Sequence, residues 1–219
     1  MHFIKKYGVI ALFGLAAVTN ANAGIITDQL YNTGLDSSGN LVAANGGIDG
    51  NWDVAPGSDG VTYKHPAYAA NDADSQWISS NSNGGNETSS STDYVFTTIF
   101  DLTGYDATTA MITGSWGVAN YASIFLNGND TGVSLAFGYA SFNNLSSFSI
   151  SEFFIDGINT LTVEVTNGYD TDLTREPGPM ALRFDDLELS ATSVPEPSIV
   201  ALLGLGLVSL GFVRRRRQA

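Results

Sequence analysis

Residues 159–166 alternate strictly between apolar and polar side chains, and no other pattern constrains the fold of this chain as tightly. Leu161, Val163 and Val165 face one side of an extended segment, and the polar residues between them face the other. Residues 93–101 are also predicted as a strand, with Tyr94, Phe96 and Phe100 on one face and Val95 and Ile99 on the other. No long stretch places apolar residues three and four positions apart, as an amphipathic helix requires. The sequence therefore predicts an all-β domain built from half-buried strands.

Further strands are predicted by the same criteria at residues 110–116, 121–126 and 145–150. Asn127 and Gly128 follow one of these strands directly. Both residue types tolerate a positive φ, so we expect a tight turn at this point.

The last predicted strand changes phase in its middle. Leu182 and Phe184 are two positions apart, and so are Leu187 and Leu189, but the two pairs do not share one alternation. One extra residue at 185–186 would return both pairs to the same face, and this is what a β-bulge does.

The order of elements from residue 94 to residue 191 resembles that of galactose-binding-like jelly-roll domains. The resemblance is carried by Trp77 and Ile78 and by the segments at 100–104, 124–128 and 157–167. It implies a jelly-roll β-sandwich, which is common among carbohydrate-binding modules. Such a fold hosts many different ligands, so the fold alone does not give the function.

The first residues of the chain have the three parts of a cleavable secretory signal. Lys5 and Lys6 form a basic start, residues 9–18 are apolar, and small side chains follow at Ala21 and Ala23. We therefore expect a signal peptidase to remove residues 1–23 during transport across the inner membrane.

The segment 194–219 contains a proline-rich motif, an apolar run at 199–213 that predicts a short helix, and a basic cluster. The motif residues are Pro195, Glu196 and Pro197, and the cluster consists of Arg214, Arg215, Arg216 and Arg217. This order resembles the PEP-CTERM sorting signal. The resemblance implies recognition by an exosortase, a membrane-embedded cysteine transpeptidase, in a Gram-negative bacterium that makes extracellular polysaccharide.

The apolar run supports a transient membrane anchor. Its fifteen residues fall short of the ~20 that comfortably cross a hydrocarbon core. The arginines after it resist translocation, so they stay cytoplasmic while the preceding domain lies on the far side of the inner membrane. We expect a processed protein at the cell surface or in the extracellular matrix. The alternative is a simple tail anchor that is never cut.

The predicted domain, residues 24–193, is strongly acidic and contains no cysteine. Its basic residues are Lys64, Arg175 and Arg183, which stand against twenty-one acidic residues and leave a formal charge of −18. Such a charge repels nucleic acid and favours cations or neutral ligands. The lack of cysteine excludes disulfides, thiolate metal sites and cysteine nucleophiles.

A calcium site is one candidate. Asp49, Asn51 and Asp53 place oxygen-bearing side chains at alternate positions, as a loop around a hard cation requires. The segment lacks the glycine and the final glutamate of an EF-hand loop. We therefore expect a structural calcium site completed by Asp185 or Asp186, with a solvated acidic turn as the alternative.

A sugar-binding surface is the other candidate. Trp52, Trp116 and Tyr121 lie in or beside predicted loops, where a flat ring can stack on a sugar, and Asn120 could add an amide. Trp52 is favoured because its glycine-rich surroundings offer little apolar sequence to bury it. Trp77, which precedes a predicted strand, is expected in the core.

Together these patterns predict an exported carbohydrate-binding protein that is not an enzyme. His65 is the only histidine of the domain, and no G-x-S-x-G motif or phosphate-binding glycine loop is present. One alternative is a structural matrix component without a specific ligand. The other is a glycan hydrolase, because paired carboxylates can lie far apart in sequence.

Overall fold

The structure is a computed structural model that describes residues 23–54, 58–84, 92–136, 138, 140–168 and 178–194. Within these ranges the strands are β1 (Ala23–Ile25), β2 (Ile48–Val54), β3 (Asp59–Thr62), β4 (Ile78–Ser79), β5 (Thr92–Asp101), β6 (Tyr105–Ala119), β7 (Tyr121–Leu126), β8 (Asn129–Leu135), β9 (Ser146–Ile150), β10 (Ile158–Asn167) and β11 (Ala181–Ser193). One helical turn, α1 (Ala140–Asn143), precedes β9. The all-β prediction is confirmed.

Ala21, the predicted sorting residues and the apolar run at 199–213 lie outside the described residues. In the part of the chain that is described, no helix is long and apolar enough to cross a membrane.

The strands form one open antiparallel sheet in the order β8-β7-β10-β5-β2-β3-β4-β11-β6-β9, and β1 pairs with β11. The short strands β3 and β4 connect two larger groups of strands. Phe96 and Val163 from one group share a core cluster with Ile112 and Phe184 from the other. The inner faces of the two groups therefore pack on each other as in a β-sandwich.

Strands β5 and β10 form as their alternation predicts. Val163 lies opposite Phe96, and both are fully buried. Val95 and Ile99 point outward and are exposed. The turn after β7 is also confirmed, since Asn127 and the glycine after it both have positive φ angles.

Three stacked rings fill the centre of the core. Phe184 lies between Trp52, with ring centroids 5.0 Å apart, and Trp116, at 5.9 Å. Both indoles are 1% exposed. The prediction that Trp52 and Trp116 present rings to a ligand is therefore wrong. The aromatic side chain that buries Trp52 is distant in sequence, so the glycine-rich stretch around Trp52 gave no sign of it.

Arg183 fixes a long loop to the outside of β11. Its guanidinium is 2% exposed, donates a hydrogen bond of 2.7 Å to the Ser75 hydroxyl, and contacts the Ala70 carbonyl and the Asp72 carboxylate. The carboxylate of Asp185 lies 3.5 Å away. The buried charge is thus neutralised and hydrogen-bonded, as a cation in an interior must be. Under the same loop Trp77 is 1% exposed, which confirms it as a core residue.

Candidate functional site

The predicted β-bulge is present in β11 and shapes the surface beside it. Asp185 pairs with Ser115 and Glu188 with Thr113, so two residues of β11 lie opposite one residue of β6. Asp186 has a φ of 50°, a left-handed conformation that aspartate tolerates better than most residues. The extra residue turns the Asp186 side chain outward, where it is exposed.

The residue opposite the bulge, Gly114, has little room for a side chain. A Cβ atom on Gly114 would lie 3.1 and 3.2 Å from the carbonyl oxygens of Asp185 and Asp186. These are backbone atoms with little freedom to move, so a side chain here would push the bulge away from β6. The close approach leaves a depression in the outer face of β6.

This depression is an open groove of about 400 Å³ between β6, β9 and the bulge of β11. Its lining residues are Thr113, Gly114, Ser115, Ser147, Phe148, Asp186 and Glu188. We refer to it as the bulge groove. It presents three hydroxyl groups and two carboxylates, and no basic side chain.

The polar groups of the groove are available to a ligand. Within the described residues, the carboxylates of Asp186 and Glu188 form no hydrogen bond or ion pair, and neither do the hydroxyls of Thr113 and Ser147. Phe148 is half-buried, and its ring packs edge-on against Phe184 with centroids 5.6 Å apart. Its ring therefore lies on the core side of β9, and the groove itself offers mainly free hydrogen-bonding groups.

Asp185, the other residue of the bulge, has a structural role. Its carboxylate accepts a hydrogen bond of 2.9 Å from the Ser75 hydroxyl. Partial burial and the nearby carboxylate of Asp72 raise the pKa of Asp185, against the hydrogen bond from Ser75 and the charge of Arg183. Of the two aspartates predicted to bind metal at this position, only Asp186 lines the groove.

Asn120 and Tyr121 lie elsewhere. Asn120 follows β6 and is 9% exposed, and its side-chain oxygen has no hydrogen-bond partner among the described residues. It is buried too deeply to line an open sugar-binding surface, so that prediction is wrong. Tyr121 begins β7 on the outer face of the other layer, opposite Thr166, and is half-buried. It therefore stays available, but on a different surface from the groove.

The three residues of the predicted calcium loop belong to strand β2 and point in different directions. Asp49 is fully buried, whereas Asp53 is exposed. The Asn51 amide donates to the backbone carbonyls of Leu35 and Asp36, at 3.2 and 2.9 Å. Among the described residues, no three acidic or histidine side chains converge as metal ligands. Calcium binding stays a prediction, and this segment does not supply the loop on which it was based.

Asp49 instead organises the start of β2. Its carboxylate accepts hydrogen bonds from the backbone N–H groups of Gly34, Asn51 and Trp52, at 2.6, 2.8 and 3.2 Å. Burial raises the pKa of Asp49 to about 6, although these three donors favour the charged form. The carboxylate is thus a local connector between β2 and the chain that precedes it.

The sequence contained a signal for one side of the groove only. The phase change at 185–186 indicated the bulge, but nothing indicated which strands lie beside it. Thr113, Ser147 and Phe148 come from strands with unremarkable alternation, and only the register brings them together. Pairing partners are not visible in a single sequence.

Comparison with known proteins identifies the tail and leaves the domain unassigned. Residues 193–217 match the family described as the PEP-CTERM protein-sorting motif. The predicted sorting signal is thereby confirmed, and it supports an exported protein that is sorted by an exosortase through a transient C-terminal anchor. No curated protein matches the chain.

A solved structure with a similar region is a crystal structure of β-glucosidase from Kluyveromyces marxianus. The similarity covers 52% of this chain and 13% of the glucosidase, with 10% identity and a TM-score of 0.28. A similarity this remote carries no information about the function of the domain.

Proposed function

We propose that this chain is an exported surface or matrix protein whose domain is a non-catalytic carbohydrate-binding module of the jelly-roll type. The bulge groove is the proposed binding site. The observation that carries the proposal is the set of unpaired hydroxyls and carboxylates that line this open groove. Sugar hydroxyls both donate and accept hydrogen bonds, so they match a surface of this composition.

The charge of the groove restricts the ligand. Asp186 and Glu188 are both acidic, and Arg183, the nearest described basic residue on the same strand, is buried beneath a loop. An anionic polysaccharide would be repelled by these carboxylates and by the acidic domain as a whole. We therefore propose a neutral polysaccharide, whose hydroxyls donate to the two carboxylates.

The proposal is tested by retention of the protein in a gel that contains neutral polysaccharide from the producing cell. Glu188→Gln removes a charged acceptor, and Ser147→Tyr fills the groove. A charge-assisted hydrogen bond contributes about 1.5–3 kcal/mol and a neutral one about 0.5–1.5 kcal/mol. Because glutamine keeps a neutral acceptor, Glu188→Gln should weaken retention by about five- to tenfold. Glu164→Gln and Ser134→Tyr are matched controls, because these residues are exposed on strands of the other layer.

The outcomes separate the candidate functions. If the groove variants bind as the parent does while Tyr121→Ala does not, the binding surface lies on β7. If the parent is not retained at all, the domain is a structural component of the matrix. Release of shorter sugars during incubation would identify a hydrolase, for which the two groove carboxylates would be the first residues to examine.

A further inference from the structure

Four large apolar side chains are exposed at one end of the domain, which we name the tail end. Phe153, Ile155, Ile158 and Val194 have exposed fractions between 40% and 58%. Phe153 and Ile155 lie in the loop between β9 and β10, Ile158 begins β10, and Val194 follows β11.

Backbone hydrogen bonds place these residues at the same end of the sandwich. The N–H of Val194 donates to the Gly104 carbonyl, at 2.8 Å. The N–H of Leu102, two residues before Gly104, donates to the Gly157 carbonyl, also at 2.8 Å. Ile158 pairs with Asp101. The exit of β11, the turn between β5 and β6, and the loop before β10 therefore meet.

The loop that carries Phe153 and Ile155 is held in place by hydrogen bonds from two asparagine side chains. The fully buried side chain of Asn159 accepts from the N–H of Ile155 at 2.9 Å and donates to the carbonyls of Ile155 and Gly157 at 2.8 Å. The Asn127 amide donates to the Phe153 carbonyl at 2.8 Å. Phe153 itself has a φ of 68°, which is costly for a bulky residue. These hydrogen bonds thus fix the backbone of the loop in a conformation that leaves Phe153 and Ile155 exposed to solvent.

The sorting tail leaves the domain at this end. Only residues 195–198 separate Val194 from the apolar run at 199–213. The five steps from Val194 to Ile199 span at most about 18 Å when fully extended. A fifteen-residue helix would be about 23 Å long, which is shorter than the ~30 Å hydrocarbon core. The residues that flank such a helix are therefore pulled toward the membrane. An anchored tail therefore holds the tail end at the membrane surface.

We propose that the tail end is a membrane-contacting surface, and that Phe153 and Ile155 enter the headgroup region of the bilayer while the tail is anchored. This rests on the tail as an anchor and not on the proposed sugar binding. Four half-exposed side chains offer much less area than the ~800 Å² per partner of a stable protein interface. A lipid surface needs no such area, because the covalent tail supplies the proximity.

The charges around the tail end specify the kind of lipid. Asp101, Asp106, Glu152 and Asp156 lie in or beside the segments that meet there. These carboxylates are repelled by anionic headgroups. The surface therefore fits a zwitterionic bilayer, and contact depends on the tail more than on intrinsic affinity.

The test uses the chain as it is after signal removal, residues 24–219 with the tail intact, in phosphatidylcholine vesicles at about one protein per vesicle. Because the chain has no cysteine, Ile155→Cys can be labelled with an environment-sensitive fluorophore at one position. Asn144→Cys is the control: it is exposed, and it lies near Ser146, which pairs with Trp116. Trp116 is eleven residues along β6 from Tyr105 at the tail end, about 35 Å away.

With a lipid-borne quencher, the label at position 155 should lose most of its emission, and the label at position 144 should keep its emission. Removal of the tail by a protease at an engineered site after Val194 should restore the emission at position 155. Equal quenching at both positions, or none at either, would overturn the proposal. Emission that changes with protein concentration and not with the quencher would instead identify a contact between two copies.

Discussion

Replacing Trp52 tests whether the three-ring stack is the centre of this fold. Trp52→Ala removes an indole that is 1% exposed, stacks on Phe184 and donates a hydrogen bond of 3.0 Å from Nε1 to the Tyr31 carbonyl. Emptying a core site of this size costs about 3–5 kcal/mol. In a domain of this length the loss lowers the Tm by about 6–20 °C.

The measurement is thermal unfolding of the purified full chain in detergent, followed by circular dichroism. Trp52→Phe keeps a ring against Phe184 and loses the hydrogen bond, so it should cost about 1–3 kcal/mol. Tyr121→Ala is the control on the outer face and should cost about 1 kcal/mol or less. A Trp52→Ala protein that melts with the parent and loses polysaccharide retention would refute the core assignment and restore Trp52 as a ligand-binding residue.

Three further expectations follow from two buried charged residues and from the sorting motif. The folded state holds the Asp49 proton more tightly than the unfolded state does. The contribution of Asp49 to the free energy of unfolding therefore falls by about 3 kcal/mol in total as the pH rises from about 4 to about 6. Asp49→Asn should abolish this part of the pH dependence of the free energy of unfolding. Arg183→Met should cost about 3 kcal/mol in chemical denaturation, at the low end for a broken buried pair because Asp72 is partly exposed, and an unchanged midpoint would contradict the role of Arg183. Replacing Pro195 and Pro197 with alanine should leave a full-length, membrane-retained form in the native host, because prolines keep the chain extended for a protease; normal shortening on an immunoblot would show that the motif is not recognised.

The sequence predicted those parts of the fold in which local alternation and packing agree. Strand β10 was predicted because Val163 and its neighbours alternate without interruption, and strand β5 because Phe96 shares one face with other large aromatic side chains. Each strand has one face in the core. The bulge of β11 was predicted for the same reason, since a single inserted residue is enough to return both apolar pairs of the strand to one face.

The failures came from residues whose surroundings are distant in sequence. Asp49 and its neighbours have the spacing of a metal loop, but three backbone N–H groups already occupy the Asp49 carboxylate, and one of them, that of Gly34, lies fifteen residues away. The composition around Trp52 suggested exposure, although its main partner is Phe184. Strand β1 is only three residues long, so no pattern within it could reveal that it pairs with β11.

The central position of β11 has a consequence for the order of events during export. This strand lies between β4 and β6, pairs with β1 at the opposite end of the sequence, and supplies the middle ring of the core stack. A chain that emerges from its N-terminus delivers β11 last, directly ahead of the tail. Until then the core lacks its central ring, and the contacts between the two ends of the domain cannot form. The domain therefore cannot complete its fold before β11 has crossed the membrane, immediately ahead of the anchor.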